Sequence, residues 1–301
     1  MINMNKRYLV AAVAASAVAA GCLAAYHFTR PPALTVDFLP VGQGDSELIS
    51  WGREQMLIDG GPDRTVLARL GADMPFFDRD IEYVVATHQH ADHITGLFAV
   101  LEHYHVGKLI LPAALKDAPE FAPLEAKAAA AGTEIVEAGQ GDMIGFGPAS
   151  FEVLWPPRTG WRPAGPPRSD EAVNDTSLVM RLAWPGAGTG GAVLFAADTG
   201  AAVEQRLIAS GRPLAAAVLK VGHHGSAGST TGAWLDAVRP KDAVIEVGRN
   251  NYGHPAYAAL RRLEAAGVRV WRTDKDGDIR AVLDPGSGFR VFSRLFSGLL
   301  P

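Results

Sequence analysis

The sequence predicts an α/β protein in which helices cover the outer faces of two sheets. Short apolar segments typical of strands come early and close together, at residues 34–39, 47–50 and 55–58. From residue 81 onward, strand-like and helix-like segments alternate. Of the 301 residues, 48% are hydrophobic and 20% are charged, so the chain can bury a sizeable core. We therefore expect a folded domain over residues 33–295.

The first 30 residues predict a signal sequence or a membrane anchor in the form of an N-terminal apolar helix. Lys6 and Arg7 precede residues 8–28, which contain no Asp, Glu, Lys or Arg. A basic start before an apolar segment is typical of exported proteins, and a helix of this length can cross a bilayer of about 30 Å. Three interpretations stay open: a retained anchor, a cleaved signal peptide, and a lipoprotein signal at Cys22. All three place the domain outside the cytoplasm; the alternative is a buried, alanine-rich helix of the domain.

Behind Pro31 and Pro32, the elements follow in order along the chain. Runs of β-branched and apolar residues predict strands at residues 34–39, 47–50, 55–58, 81–86, 108–111, 134–136, 151–155, 178–184, 192–197, 216–221, 243–247 and 269–272. Apolar residues at helical spacing predict a helix through residues 94–101 and further helices at residues 120–131, 201–210, 230–238 and 257–266. Residues 156–171 hold five prolines and two glycines, which predict a long loop. This loop is either a surface insertion or a lid that brings Arg158, Trp161, Arg162 and Arg168 to an anionic or ring-bearing substrate.

The most informative segment is residues 87–96, which read THQHADHITG between a predicted strand and a predicted helix. His88 and His90 point to one side if the strand end is extended, because side chains there repeat every two residues. Asp92 and His93, where the chain bends into the helix, can face a second position. Imidazole nitrogen and carboxylate oxygen are preferred ligands of zinc and similar ions. The segment therefore predicts a site for two metal ions, against the alternative of a solvated polar loop.

The spacing His-x-His-x-Asp-His is the signature of the metallo-β-lactamase superfamily, and the chain resembles that superfamily. Six further segments occur in order: VGQGDS at 41–46, LIDGG at 57–61, NDTSL at 174–178, ADTG at 197–200, LKVGHHGS at 219–226 and YGHP at 252–255. Together, over about residues 34–283, they are similar to the C-terminal hydrolase domain of the competence protein ComEC family of DNA-uptake channels. The resemblance implies a four-layer αββα sandwich with its site at one edge.

The resemblance also implies roles for individual residues in the metal site. His88 and His90 hold the first ion, Asp92 and His93 hold the second, and Asp198 bridges the two, unless Asp198 only caps the following helix. Neighbouring residues on a strand point to opposite sides, so we expect one histidine of the pair at 223 and 224 to bind metal, and we favour His224. The expected cofactors are two divalent ions, either zinc or manganese.

A second set of residues is predicted around the ions rather than on them. His223 and His254 are candidate proton donors to the leaving group, with a structural turn as the alternative for His254. Asn174, Ser177 and Ser226 are candidate substrate contacts, and Asp59 is expected to orient a ligating histidine. His103 and His105 are expected at a helix end or on the surface, so the first ion has fewer protein ligands or takes an oxygen from Asn174 or Asp175.

These features predict an extracytoplasmic, metal-dependent hydrolase, specifically a phosphodiesterase or nuclease in which a metal-activated hydroxide attacks phosphorus, with Asp92 in a catalytic role. The net charge of −4 and the lack of a basic stripe argue against a binder of duplexes. They do not exclude a nuclease for single-stranded DNA, since metals themselves hold phosphates. The alternatives are a β-lactam or lactone hydrolase and a non-catalytic accessory of a DNA-uptake or envelope complex.

Overall fold

The structure is a computed structural model that describes residues 8, 11–16, 18, 21, 32–115, 118–158, 169–284 and 286–294. The chain divides into two units, Met1–Ala33 and Leu34–Pro301. In the first unit the described residues from 8 to 21 are helical. Across the described part of the chain, no helix has the length and apolar character needed to cross a bilayer. Most positions of the predicted membrane anchor, and Cys22, lie outside the described residues.

The second unit alternates strands with helices along most of its length. Its strands are β1 (Leu34–Phe38), β2 (Glu47–Trp51), β3 (Glu54–Ile58), β4 (Asp80–Val85), β5 (His105–Pro112), β6 (Glu134–Ala138), β7 (Met143–Phe146), β8 (Ala149–Trp155), β9 (Val179–Ala183), β10 (Ala192–Phe195), β11 (Val218–Lys220), β12 (Asp242–Ile245), β13 (Arg269–Arg272), β14 (Ile279–Asp284) and β15 (Gly288–Ser293). Its α-helices are α1 (Thr65–Asp73), α2 (Ala91–His103), α3 (Ala122–Ala130), α4 (Asp170–Asn174), α5 (Ala201–Ala209), α6 (Gly232–Val238), α7 (Tyr257–Ala265) and α8 (Thr273–Asp276).

The strands form two mixed sheets. The first has the order β15-β14-β1-β2-β3-β4-β5-β6, and the second has the order β13-β12-β11-β10-β9-β8-β7. In the first sheet, β3 to β6 are parallel neighbours. In the second sheet, β10 to β13 are parallel neighbours. Each sheet thus combines an antiparallel half with a parallel half, and helices connect the parallel strands.

Three apolar layers show that the architecture is αββα, as predicted. The central layer lies between the two sheets and includes Phe38 and Phe195, whose ring centroids are 6.5 Å apart. An outer layer packs α1, α2 and α3 on the first sheet, with Leu97 fully buried. The other outer layer packs α5, α6 and α7 on the second sheet around Trp234. Each helix therefore buries one apolar face, and each sheet buries both faces.

The predicted elements match the observed ones closely in the middle of the chain and less well elsewhere. The sequence analysis did not predict α1, β7, or the C-terminal hairpin of β14 and β15. In β14, buried and partly exposed residues alternate, and the latter include Arg280, whose guanidinium binds the Asp37 carboxylate. Polar residues that alternate with apolar ones weaken the apolar signal of this strand, although it extends the first sheet beyond β1.

Candidate metal centre

The residues of the predicted metal site converge at one edge of the two sheets. Asp59 follows β3 and His88 follows β4, while Asp198 follows β10 and His224 follows β11. Carboxyl ends of parallel strands meet at the same edge of a sheet, where ligands of open α/β sheets also bind. The sandwich brings this edge of the first sheet to the corresponding edge of the second. Residues far apart in sequence therefore meet between the sheets.

Three residues form a first ligand group: His88, His90 and Asp198. Their nitrogen and oxygen atoms all lie within 4.8 Å of one another. Nε2 of His88 is 3.1 Å from Nδ1 of His90 and 4.0 Å from Oδ2 of Asp198. This is the set that the sequence assigned to the first ion, together with the predicted bridging aspartate.

A second ligand group, Asp92, His93 and His224, lies beside the first and also keeps its candidate atoms within 4.8 Å. Nε2 of His224 is 3.4 Å from Oδ2 of Asp92. Asp198 stands between the groups, since its Oδ2 is 3.4 Å from Nε2 of His93 and 3.5 Å from Nε2 of His224. The position of Asp198 is therefore that of a carboxylate shared by two neighbouring cation sites.

The chemistry of the two groups fits divalent metal ions. Nε2 of His93, Nε2 of His224 and Oδ1 of Asp198 are buried and have no hydrogen-bond partner among the described residues. Leaving such atoms unpaired costs about 1–3 kcal/mol each, and metal coordination would satisfy them. On both imidazoles the opposite nitrogen is already engaged: Nδ1 of His93 is 2.8 Å from Oδ2 of Asp59, and Nδ1 of His224 is 2.9 Å from the carbonyl oxygen of Glu246. This is the usual outer support of a metal-binding histidine.

Without ions, the cluster perturbs its own titration strongly. Burial raises the pKa of Asp198, but the charges of His224 and His93 outweigh burial and hold it well below its usual range. Burial lowers the pKa of His93, yet the carboxylates of Asp198 and Asp59 raise it well above its usual value. For His88, burial and the neighbouring His93 keep the pKa well below its usual value. The buried groups thus depend on one another's charge, as residues of functional sites often do.

Asp59 lies where the sequence analysis expected a residue that orients a ligand. Besides His93, its carboxylate accepts hydrogen bonds from the backbone N–H of Thr87 at 2.8 Å and from the Thr87 hydroxyl at 2.7 Å. The Thr87 hydroxyl oxygen is also 3.0 Å from Nδ1 of His88. One buried carboxylate therefore supports a histidine of each ligand group.

The pair at 223 and 224 does not lie on a strand, so the reason given for expecting only one of them to bind metal was wrong. Strand β11 ends at Lys220, and both histidines adopt left-handed backbone angles, with φ of 48° and 49°. Both side chains line the same cavity instead of pointing to opposite sides. His224 is buried within the second ligand group, whereas the side chain of His223 is 33% exposed and its Nε2 is 4.0 Å from Oδ2 of Asp198.

The ligand groups open into a cavity of about 490 Å³. Nδ2 of Asn174, at the end of α4, is 3.4 Å from the ring nitrogens of His223. The ring of His254 is 5.2 Å from that of His223, measured between centroids, and its Nδ1 is buried without a partner among the residues described. The lining residues are Gln43, His90, Ala91, Asp92, Asp170, Asn174, Asp198, His223, His224, Tyr252 and His254.

Two predicted substrate contacts are not brought to this cavity. Ser177 is fully buried beneath the surface, two residues before the start of β9. The hydroxyl of Ser226 accepts a hydrogen bond from the backbone N–H of Gly228 at 3.2 Å, so it closes a local turn. Neither residue lines the cavity, and the structure gives no support for substrate contact by either.

Other predicted residues lie away from the centre or cannot be placed. His103 is near the end of α2, where its Nδ1 is 2.9 Å from the Ala99 carbonyl oxygen, and His105 is exposed on β5, as expected. Arg158 binds the carboxylate of Asp142 rather than the cavity. Trp161, Arg162 and Arg168 of the predicted loop lie outside the described residues, so the proposed lid stays a prediction. Asp175 does not line the cavity.

The sequence analysis missed a buried charged cluster behind the metal centre. The ammonium of Lys220 contacts the carboxylate of Asp45, and Glu47 and Glu246 are buried beside them. Burial, together with the charge of Asp45, raises the pKa of Glu47 to about 8. Asp45 lies just before β2, Glu47 is the first residue of β2, and Lys220 is the last residue of β11. The sequence pattern predicts apolar side chains or a turn at these positions. The charged residues found there were the signal in the sequence that could have indicated the cluster.

A sandwich of this form, with two histidine and aspartate groups at one sheet edge, is the arrangement expected of a binuclear metallohydrolase. Residues 39–248 match the family model described as the metallo-beta-lactamase superfamily. The chain therefore belongs to the metallo-β-lactamase superfamily, a superfamily of hydrolases.

The chain is also similar to competence proteins. It is 31% identical to the ComE operon protein 3 of Bacillus subtilis in an alignment of 265 residues that covers 81% of this chain and 32% of that protein. It is 30% identical to the competence protein ComA of Neisseria gonorrhoeae in an alignment of 275 residues that covers 88% of this chain and 35% of that protein. The chain thus spans about a third of the length of these relatives.

Among solved structures, the metallo-beta-lactamase fold protein YhfI from Bacillus subtilis shares the fold. Its TM-score is 0.54 at 13% sequence identity, and the alignment covers 86% of this chain and 99% of that one. The predicted fold class is therefore confirmed both by the two-sheet architecture and by this similarity.

Proposed function

We propose that this protein is a metal-dependent phosphodiesterase that acts outside the cytoplasm on single-stranded nucleic acid or a smaller diester, with its N-terminal segment directed to the membrane. Two relatives that match most of this chain are competence proteins, and the sequence motifs resemble those of the ComEC hydrolase domain. Membership of a hydrolase superfamily supports bond cleavage by water.

The observation that carries the proposal is the pair of ligand groups that share Asp198 at the base of an open cavity. His88 and His90 with Asp198 would hold one divalent ion, and Asp92, His93 and His224 with Asp198 would hold the other. When bound, two such ions supply a nucleophilic water at neutral pH and stabilise negative charge on the group under attack. The nitrogen-rich donor set favours zinc, while the carboxylates also suit manganese.

The charges around the cavity favour an anionic substrate only once cations are present. Three lining residues are acidic, Asp92, Asp170 and Asp198, and none of the described lining residues is Lys or Arg. By itself this surface repels a phosphodiester, since like charges in a partly desolvated site oppose binding. Two divalent ions would reverse the sign of the local field. The protein therefore couples substrate binding to metal binding.

Two cavity histidines are placed to handle the proton of the leaving group. His223 is partly exposed beside Asp198, and its ring lies close to the amide of Asn174. His254 lines the cavity from the loop between β12 and α7, and its ring is next to that of His223. An alkoxide leaving group needs a proton as the bond breaks. We assign this proton transfer to His254, and we assign His223, held near Asn174, to contact with the phosphodiester.

Tyr252 suits a substrate with exposed bases. Its side chain is 77% exposed at the rim of the cavity, and its ring centroid is 5.9 Å from that of His254. Aromatic side chains at such positions stack on unpaired bases with little sequence preference. A duplex keeps its bases stacked inside, so this residue favours single strands.

The experiment that tests the proposal is an activity panel on purified, metal-loaded protein. Zinc- and manganese-loaded samples are assayed with bis(4-nitrophenyl) phosphate, single- and double-stranded DNA, and a chromogenic β-lactam, with D92A as the inactive control. The proposal predicts hydrolysis of the diester and of single-stranded DNA, and loss of both in D92A. Turnover of the β-lactam alone would support the lactamase alternative, and inactivity of fully loaded protein on every substrate would support a non-catalytic role.

A further inference from the structure

A buried lysine lies directly behind the candidate metal centre. Lys220 is the last residue of β11, and its side chain is fully buried. Its ammonium contacts the Asp45 carboxylate, and Nζ lies 3.2 Å from the carbonyl oxygen of Ala197 and 3.9 Å from Oδ1 of Asp198. A buried cation is costly unless it is paired with acceptors. These three oxygens are what allows the ammonium to stay buried at this place.

Asp45 connects Lys220 to the second ligand group. Oδ1 of Asp45 is 3.2 Å from Nδ1 of His224, and Oδ2 is 3.8 Å from Nδ1 of His93. On both rings the other nitrogen, Nε2, faces Asp198. The Asp45 carboxylate thus lies on the Nδ1 side of both imidazoles, away from Asp198. The Lys220 ammonium compensates the negative charge of this buried carboxylate.

Lys220 also acts on the turn that presents Asp198. Its ammonium donates a hydrogen bond to the carbonyl oxygen of Ala197, the residue before Asp198. Ala197 has a left-handed backbone with φ of 45°, which a residue with a side chain adopts at some energetic cost. The same carbonyl accepts a hydrogen bond from the backbone N–H of His223 at 3.0 Å. The Ala197 carbonyl oxygen therefore connects the Lys220 ammonium both to the turn before Asp198 and to the backbone of His223.

We propose that Lys220 is a positioning residue that pre-organises His224, His93 and Asp198 for a divalent cation at the second ligand group. The inference rests on the metal centre of the proposed function and extends it to the residues behind the ligands. It does not depend on the substrate.

The two ligand groups differ in their dependence on Lys220. In the first group, His88 is supported by the hydroxyl of Thr87 and not by Asp45. Asp198, which Lys220 approaches, is common to both groups, but both histidines of the second group also contact Asp45. Loss of the ammonium therefore weakens the second cation more than the first, whereas a general loss of structure would weaken both alike.

The test is a zinc titration of the metal-free full-length chain by calorimetry, in wild type, K220M and D45N. K220M keeps the length of the side chain and removes its charge, while D45N keeps the lysine and removes the carboxylate that links it to the histidines. K127M is the matched control, because Lys127 forms an exposed ion pair with Glu102. The expected result is a roughly tenfold or larger weakening of one of the two zinc-binding steps in K220M and D45N, about 1.4 kcal/mol, with a smaller effect on the other step and with K127M unchanged.

Each outcome of the titration decides the inference. Wild-type affinity at both steps, or an equal weakening of both, in either K220M or D45N would overturn it. If K220M fails to fold, D45N alone decides, by the same comparison. A wild-type chain that binds no zinc would overturn the proposed function as well, whereas two ions bound with wild-type affinity in both variants would remove this inference only.

Discussion

At the scale of single residues, the candidate metal centre depends on atoms that point into the site without a hydrogen-bond partner among the described residues. Nε2 of His93 and of His224 are buried, and the opposite nitrogen of each ring is engaged by Asp59 or by the backbone of Glu246. A side chain held in this way cannot turn to satisfy its free nitrogen elsewhere. The residues are therefore prepared for a cation in advance, which lowers the entropic cost of binding it.

The assignment of His254 as the proton donor gives a prediction that depends on the leaving group. In H254A, kcat on single-stranded DNA should fall about 10²-fold or more, because its alkoxide leaving group needs a proton. On bis(4-nitrophenyl) phosphate the loss should be much smaller, since nitrophenolate leaves unprotonated. H103A is the matched control, because His103 is the last residue of α2, at the other end of this helix from Asp92 and His93. Equal losses on the two substrates would contradict a role in proton transfer.

Tyr252 gives a prediction about substrate class. Y252A should raise KM for single-stranded DNA about tenfold, because one stacking contact of about 1–3 kcal/mol is lost. KM for bis(4-nitrophenyl) phosphate should change little. Y257A serves as control, since Tyr257 is equally exposed, at 76%, but does not line the cavity. If Y252A and Y257A behave alike, Tyr252 does not hold a base.

At the scale of secondary structure, the position of α2 determines where Asp92 and His93 lie. The turn after β3 packs directly against this helix: the backbone N–H of Gly60 donates to the carbonyl oxygen of His93 at 2.7 Å, and that of Gly96 donates to Gly61 at 3.0 Å. A Cβ atom on Gly96 would lie 1.8 Å from the Gly60 carbonyl oxygen. Glycine at 96 is therefore what lets helix and turn approach so closely.

This contact predicts that G96A displaces the start of α2 and harms the site from a distance. We expect a destabilisation of about 1–3 kcal/mol, typical of overpacking, together with weaker metal binding. G71A is the matched control in α1: none of the described residues has an atom within 4 Å of the new Cβ, and alanine should stabilise that helix by about 1 kcal/mol. Denaturant unfolding and metal titration of the two variants check this. A G96A protein as stable as G71A would show that the close approach is not required.

Sequence reasoning succeeded at this scale where strands are buried and apolar, as for β3, β4 and β10. It placed His88, His90 and Asp198 at strand ends and Asp92 and His93 where the chain bends into a helix, and the structure brings all five together. It failed at His223 and His224 because the left-handed turn that follows β11 leaves no mark in the apolar pattern. It also missed Lys220, since only the tertiary structure shows that a charged residue at a strand end faces inward and not towards solvent.

At the scale of the whole molecule, the metal centre joins the two halves of the sandwich. His88, His90 and His93 follow a strand of the first sheet, whereas Asp198 and His224 follow strands of the second. Bound ions would therefore crosslink the sheets at this edge. Without bound ions, the carboxylates and imidazoles of the two ligand groups remain close to one another in a buried space.

This arrangement predicts that metal binding stabilises the fold. Adding zinc to metal-free protein should raise Tm in a concentration-dependent way, because a ligand at 100 times its Kd contributes about 2.7 kcal/mol when it binds only the folded state. Chelation should reverse the rise. In H93A, which lacks a ligand of the second group, the rise should be smaller. Thermal unfolding monitored by circular dichroism measures the effect, and a Tm that zinc leaves unchanged would contradict it.

The central claim is that Asp198 is shared by two cation sites, and the metal content of purified protein tests it most directly. Wild type and D198A are loaded with zinc, dialysed and analysed by plasma mass spectrometry, with D236A as a control because Asp236 is exposed on α6. The account predicts two ions per chain in wild type and D236A, and loss of at least one in D198A together with the hydrolase activity. Two tightly held ions in D198A, or none in wild type, would contradict it.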